Sequence, residues 1–336
     1  MPESQADGAD ANANTNANAN AADSATAADV ADIADVANST AQTRRGWINR
    51  RRMAVRLGVL LVAAVALKGC GSHLVNFVAF HPERADPSRG PVQRSGVEEL
   101  RLTAADGTSL QAFFIANPAS DRATLMLHGN AGNAYGRIDD AMILAQQGTN
   151  VLLLSYRGYG TSDGRPTEAG VYQDARAALD ELAARGFAAE QTFIYGRSIG
   201  SAVAIDAARG RILAGLILIT PLSSGRDVAR HQRLGWLLWA VGHPFDSVSK
   251  LPEIDAPMLI IHGDRDGIVP LELGQRLHDS YSGPRRILVL PGAGHNDISA
   301  TGGSLYWRTI GRFLSAPESL EATAGEGEGS GSPPGG

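Results

Sequence analysis

The sequence predicts an α/β fold, with a mostly parallel central sheet and helices on both faces. Three observations carry that expectation. Short apolar runs of strand length alternate with helix-patterned stretches at close spacing, the order that builds parallel sheets. Several runs, Ala123–Leu127 and Ile212–Ile219 among them, are apolar almost throughout, as strands covered on both faces are. And residues 191–208, QTFIYGRSIGSAVAIDAA, read as a strand, a sharp turn at Ser198 and a small-residue helix.

Taken in order, residues 1–43 are Ala, Asn, Asp, Ser and Thr with almost no branched apolar residue, a composition too poor in burial to offset its ordering entropy. Residues 44–70 follow as a basic region with six arginines between Arg44 and Arg56, then an eleven-residue apolar run, Leu57–Leu67. A basic region before a short apolar run has the form of an export signal or anchor. Leu67-Lys68-Gly69-Cys70 resembles a bacterial lipoprotein processing box, apart from the lysine, and makes Cys70 a candidate for lipidation. An uncleaved single-pass anchor is the other reading, and a small buried cysteine the plainer one. Met53 would begin a signal of ordinary proportions, so translation could start there. Either reading keeps the arginines cytoplasmic and puts the remainder outside, membrane-associated on the extracytoplasmic side.

Residues 71–96, rich in Pro and Arg toward their end, are expected to be a linker. The main domain is expected over 97–315. Two alternating runs about Asp106-Gly107 give a hairpin, 97–104 and 109–116. Next come a strand at 123–127, a helix at 138–147, a strand at 150–154 and a helix over 167–185 with Thr167 as its cap. The serine turn at 191–208 and a strand at 212–219 follow. Residues 221–255 break the rhythm and could form a short cap, with two tryptophans in the apolar run 234–241. Strand 257–261, helix 270–281, strand 286–290 and helix 304–314 complete the domain. Residues 316–336 read as a flexible tail.

Three strand ends supply chemistry. Gly196-Arg197-Ser198-Ile199-Gly200 is the G-x-S-x-G arrangement of a nucleophile elbow, although a serine cap after a glycine turn would leave the same five residues. A serine nucleophile needs a base whose pKa lies near neutrality and a carboxylate to orient it. His295, in PGAGHND after an apolar strand, is the preferred base, with His128 and His262 as competitors at other strand ends. Asp266 in HGDRDGIVP is the preferred acid. Asp264 would instead stabilise its own turn, and Asp297 would serve as a loop or cap residue. The order Ser, Asp, His is the one this kind of fold uses. The backbone N–H groups of Asn130 and Ile199 are the expected oxyanion hole, and Arg157 and Tyr159 in SYRGYG are expected at the rim or in structural roles. A net charge of −5 offers no basic footprint for nucleic acid. A single cysteine excludes an intrachain disulfide and a multi-thiolate zinc site.

The ordered set LMLHGNAGN, LLSYRGYGTSDGRPTE, YGRSIGSAVA, LIIHGDRDGIVP and PGAGHND, spread over about 97–315, resembles the α/β-hydrolase-fold serine hydrolases. More narrowly, it is similar to the membrane-anchored, single-domain α/β-hydrolase-domain proteins with almost no lid. The resemblance implies Ser198, Asp266 and His295 as a triad, with Asn130 and Ile199 binding the oxyanion. It also implies hydrolysis of esters or thioesters through an acyl-enzyme, on a small-molecule or lipid-like acyl substrate, with neither metal nor organic cofactor. Some members of that subgroup remove fatty acyl groups from protein cysteines, which does not follow for a bacterial chain with an outward-facing domain. A peptidase of the same fold and a non-catalytic membrane-associated scaffold are the alternatives.

Overall fold

Apolar runs too short for helices pair side by side, and the result is an eight-stranded sheet. The computed structural model describes residues 53, 75–85, 92–234 and 242–321. The chain divides into two units, Met1–Leu67 and Lys68–Gly336, and the sheet with its helices belongs to the second. Its strands are β1 (Val97–Thr103), β2 (Ser109–Ile115), β3 (Ala123–Leu127), β4 (Asn150–Ser155), β5 (Thr192–Arg197), β6 (Gly215–Ile219), β7 (Met258–Gly263) and β8 (Arg285–Leu290). They lie in the order β8-β7-β6-β5-β3-β4-β2-β1. Only β2 opposes the rest, pairing antiparallel with β1 and β4. The expected mostly parallel α/β sheet is therefore present.

The main helices are α1 (Ile138–Ala145), α2 (Glu168–Ala184), α3 (Ile199–Ala208), α4 (Gly225–His231), α5 (Leu271–Ser280) and α6 (Ile298–Ser315). Because strand side chains alternate between faces, β4 sends Leu152 and Leu154 to one face and Val151 and Leu153 to the other. The first face packs against α2, α3 and α5 through Val171, Val203 and Leu277. The second packs against α1 and α6 through Leu144, Ile310 and Phe313. With both faces covered, the strands can be apolar throughout, which is why they read as continuous runs.

Local signals account for several boundaries. Thr167 accepts the Gly170 N–H at 3.0 Å and starts α2, as expected. Pro270 sits one residue before α5 rather than inside its first turn. Helix α6 begins six residues earlier than its apolar spacing suggests, because Gly303, at φ 46°, joins an initial turn to the main helix across a kink. Arg157 ties three pieces together: it bonds buried Asp174 of α2 through Nε at 2.8 Å and Asp106 of the β1–β2 turn through Nη1 at 2.7 Å. That agrees with the structural role expected for it.

Among the described residues no helix is long and apolar enough to cross a membrane. That finding overturns the membrane-anchored, extracytoplasmic placement: a crossing needs about 20 consecutive apolar residues, and none of the described helices supplies them. The stretch 44–70 from which the expectation arose, Cys70 included, lies outside the described residues apart from Met53. The leader 1–43, the tryptophans of 235–241 and the tail beyond 321 lie outside them too.

Removing Asp174 takes from the buried Arg157 guanidinium one of its two carboxylate partners and leaves only Asp106, at the surface turn. Asp174→Ala is expected to cost about 3 kcal/mol of stability, read from the midpoint of urea denaturation. A loss below about 1 kcal/mol would assign the pair the weight of a surface contact.

Candidate active site

The sharp turn at Ser198 is set by backbone crowding. A Cβ on Gly196 would lie 2.4 Å from the Gly200 carbonyl oxygen, and one on Gly200 would lie 2.5 Å from the Leu127 carbonyl oxygen. Neither position can carry a side chain. With α3 pressed so closely onto β3 and β5, Ser198 takes φ 55° and ψ −123° at the start of the helix. Its N–H donates to the Ile219 carbonyl at 2.9 Å, and its own carbonyl accepts from the Ser201 N–H at 2.9 Å and the Ser201 hydroxyl at 2.6 Å. The side chain is left half-buried above the sheet edge.

Two further strand ends bring partners to it. His295, in the loop after β8, places Nε2 2.9 Å from Ser198 Oγ and Nδ1 2.7 Å from Asp266 Oδ2. Asp266, in the loop after β7, accepts the N–H groups of Ile268 and Val269 on its other oxygen, at 2.9 and 2.8 Å. Burial alone would raise its pKa. The nearby His262 ring, the hydrogen bond and charge of the His295 ring and the Val269 N–H outweigh that and hold it well below the usual carboxylate range.

The competing residues have other partners. Asp264 accepts the Gly292 N–H at 2.7 Å and closes the turn after β8. Asp297 accepts the Gly294 N–H at 2.7 Å within the histidine loop. His262 is wholly buried, donates Nε2–H to the Val269 carbonyl at 2.8 Å and lies 3.5 Å from Asp266. Gly274 of α5 leaves room for that ring, since a Cβ there would meet His262 Nδ1 at 2.3 Å. His128 donates Nδ1–H to the Gly129 carbonyl at 2.7 Å. Burial depresses its pKa to about 4, so its ring is neutral at pH 7. Across a trans peptide the C=O and N–H point opposite ways, so His128, by holding Gly129 C=O, also aims the N–H of Asn130.

Asn130, Ser198 and Ile199 line one cavity of about 210 Å³. Gly129 lies close beside Ser198: a Cβ added to it would stand 3.6 Å from Ser198 Cβ. The Ile199 N–H opens α3, where amides have no partner within the helix. Tyr159, buried, donates its hydroxyl to the Asn130 carbonyl at 2.6 Å. Arg197 went unremarked in the sequence. Its guanidinium holds the His295 and Asn296 carbonyls at 3.0 and 3.1 Å and so fixes the histidine loop; its place beside Ser198 was the signal that could have found it. Among the described residues no three His, Cys, Asp or Glu side chains group as metal ligands.

A serine, an imidazole and a buried carboxylate in hydrogen-bonded series, at the C-terminal edge of this sheet, define a serine hydrolase. Comparison with known proteins supplies the family. A family model described as "Serine aminopeptidase, S33" matches residues 118–248. An uncharacterized protein of Mycobacterium tuberculosis is 34% identical over 265 residues, 76% of this chain and 94% of that protein. The human "Alpha/beta hydrolase domain-containing protein 17B" is 31% identical over 237 residues, 69% of this chain and 80% of its own. A solved esterase from Pyrococcus furiosus superposes with a TM-score of 0.59 at 20% identity, over 70% of this chain and 97% of that one, and shares the fold. The chain belongs to the α/β-hydrolase-fold serine hydrolases.

Because the folded pKa of Asp266 lies below its unfolded value of about 3.9, the stability it contributes is complete above that value. It is lost as the pH falls through the lower folded value. Chemical denaturation followed from about pH 5 to pH 2 is expected to show the wild type losing stability faster than Asp266→Asn; parallel curves would contradict the assignment.

Proposed function

We propose that the protein hydrolyses carboxylic esters or thioesters of apolar acyl groups through an acyl-enzyme on Ser198. The observation that carries this reading is the series Ser198 Oγ–His295 Nε2–Asp266, at 2.9 and 2.7 Å, whose serine lines an apolar cavity. Ser198 Oγ attacks the acyl carbonyl carbon while His295 Nε2 takes its proton. Asp266 keeps the other proton on Nδ1 and balances the charge of the imidazolium. The negative charge moves to the carbonyl oxygen, where the Asn130 and Ile199 N–H groups receive it. Collapse expels the alcohol or thiol with the proton from His295. Water, deprotonated by the same ring, then releases the acid.

The acyl preference follows from the walls. Leu222, Val228, Phe245 and Val269 face the cavity, and none of its described lining residues is charged. Leu222, Val228 and Phe245 come from 221–255, which supports reading that stretch as a short cap on a domain spanning 97–315. A cap this short is the feature expected of single-domain, minimal-cap members of the family. The peptidase reading has the family model's description in its favour. An aminopeptidase, however, must hold a substrate ammonium, and no carboxylate is among the described residues that line this cavity.

The test is a p-nitrophenyl ester series with fluorophosphonate labelling. Ser198→Ala is expected to lose labelling and at least about 10⁴-fold in kcat. Asp266→Asn should lose about 10⁴-fold, while Asp264→Asn stays within about tenfold of wild type. Labelling that survives Ser198→Ala, or faster cleavage of aminoacyl amides than of esters, would overturn the reading.

A further inference from the structure

We propose that residues 75–85, ahead of the main domain, form a strap that fixes the oxyanion loop and supplies one wall of the acyl cavity; this rests on the hydrolase reading above. The stretch was expected to be part of a linker, yet its backbone is bonded on both sides. The His81 N–H donates to the Asn130 carbonyl at 3.0 Å and the Glu83 N–H to the Gly132 carbonyl at 3.1 Å. His81–Pro82 and Ala131–Gly132 thus pair as a short parallel clip. On the other side, the Gly160 N–H donates to the Glu83 carbonyl at 3.0 Å and the Ala85 N–H to the Gly160 carbonyl at 2.9 Å. Arg84 adds bonds to the Ser162 and Gly164 carbonyls at 3.0 and 2.9 Å. The strap therefore stitches the loop after β3, which carries Asn130, to the loop after β4.

Its other end reaches the cavity. Residues 75–79 form a helical turn, and Val75, Val78 and Ala79 line the same space as Ser198 and Asn130. Phe80 fastens the turn down: it is buried and packs edge-on to Phe245, whose ring also lines the cavity, at 5.8 Å between centroids. An oxyanion donor is effective only if it is aimed before charge develops, and a displacement near 1 Å can cost about 100-fold. The Asn130 carbonyl accepts both the strap N–H and the Tyr159 hydroxyl, so its loop is held from two directions.

Two pairs of measurements in the full-length chain test this. Glu83→Pro removes the N–H that reaches Gly132, while the conservative Glu83→Ala keeps it. On an acetyl ester, Glu83→Pro is expected to lower kcat about tenfold or more with KM little changed, and Glu83→Ala to recover most of that loss. Ala79→Phe fills the wall. It is expected to cut the octanoyl-to-acetyl ratio of kcat/KM by about tenfold or more. Equal kcat for the two Glu83 variants, together with an unaltered ratio in Ala79→Phe, overturns the strap while loss of activity in Ser198→Ala leaves the hydrolase reading standing. Turnover that survives Ser198→Ala overturns both.

Discussion

The approach of α3 to the sheet is the constraint on which the site depends. Glycine at 196 and at 200 lets helix backbone lie against the carbonyls of Leu127 and His128 and lets the strand turn directly into the helix. That contact forces Ser198 into a left-handed backbone that a serine adopts only when its surroundings hold it there. It also aims the hydroxyl outward and brings the first amide of α3 beside the loop after β3. One steric fact thus sets the proposed nucleophile and one proposed oxyanion donor together. A methyl group at either glycine would push the helix away and move both.

Around that turn the site is assembled from loops, and buried polar contacts give those loops their rigidity. Asp266 has both oxygens engaged, by two backbone amides on one side and the His295 ring on the other. His262 braces the same loop from beneath through the Val269 carbonyl, and Arg197 braces the histidine loop from its side. Each brace ends on backbone. Backbone anchors fix where a side chain starts, so the 2.9 Å spacing between Ser198 and His295 does not depend on surface packing. The arrangement places a charged carboxylate inside the protein at little net cost, since its hydrogen bonds replace the water it gave up.

What could be read in the sequence was what is local. The strands from β3 to β7 lie between helix-covered faces and had to be apolar almost continuously. The elbow needs glycine at two fixed places, and that spacing survives in the string. Asp266 could be preferred over Asp264 because it sits further out in its loop. Arg197 escaped because it acts through the carbonyls of His295 and Asn296, far along the chain, and a carbonyl has no letter in a sequence; His128 and Tyr159 were noticed as residues, but their bonds to the Gly129 and Asn130 carbonyls were not. The strap escaped for the same reason: its pairing with 130–132 and 160 is all backbone, while its side chains, His81, Glu83 and Arg84, have the composition of a linker. The kink at Gly303 misled the α6 boundary, since small residues before an apolar helix read as loop. The expected membrane-bound placement came from the composition of 44–70 alone, and it fails against described helices that are all too short or too polar to cross.

The apolar cavity and the charged relay, which pull in opposite directions in most protein interiors, support one another here. Apolar walls exclude water from the reacting carbonyl, and exclusion of water strengthens each hydrogen bond aimed at the developing oxyanion. The same walls would destabilise an unpaired ion. The relay avoids that penalty by keeping its permanent charge on Asp266, behind His295 and saturated with donors, and by leaving neutral groups at the cavity surface: Ser198, the Asn130 and Ile199 amides and apolar side chains. Charge therefore enters the cavity only during reaction, at the one position where fixed dipoles wait for it. A substrate arriving with its own charge would lose hydration and meet no opposite charge among the described lining residues, and this is the physical basis for the proposed preference for an uncharged acyl ester or thioester.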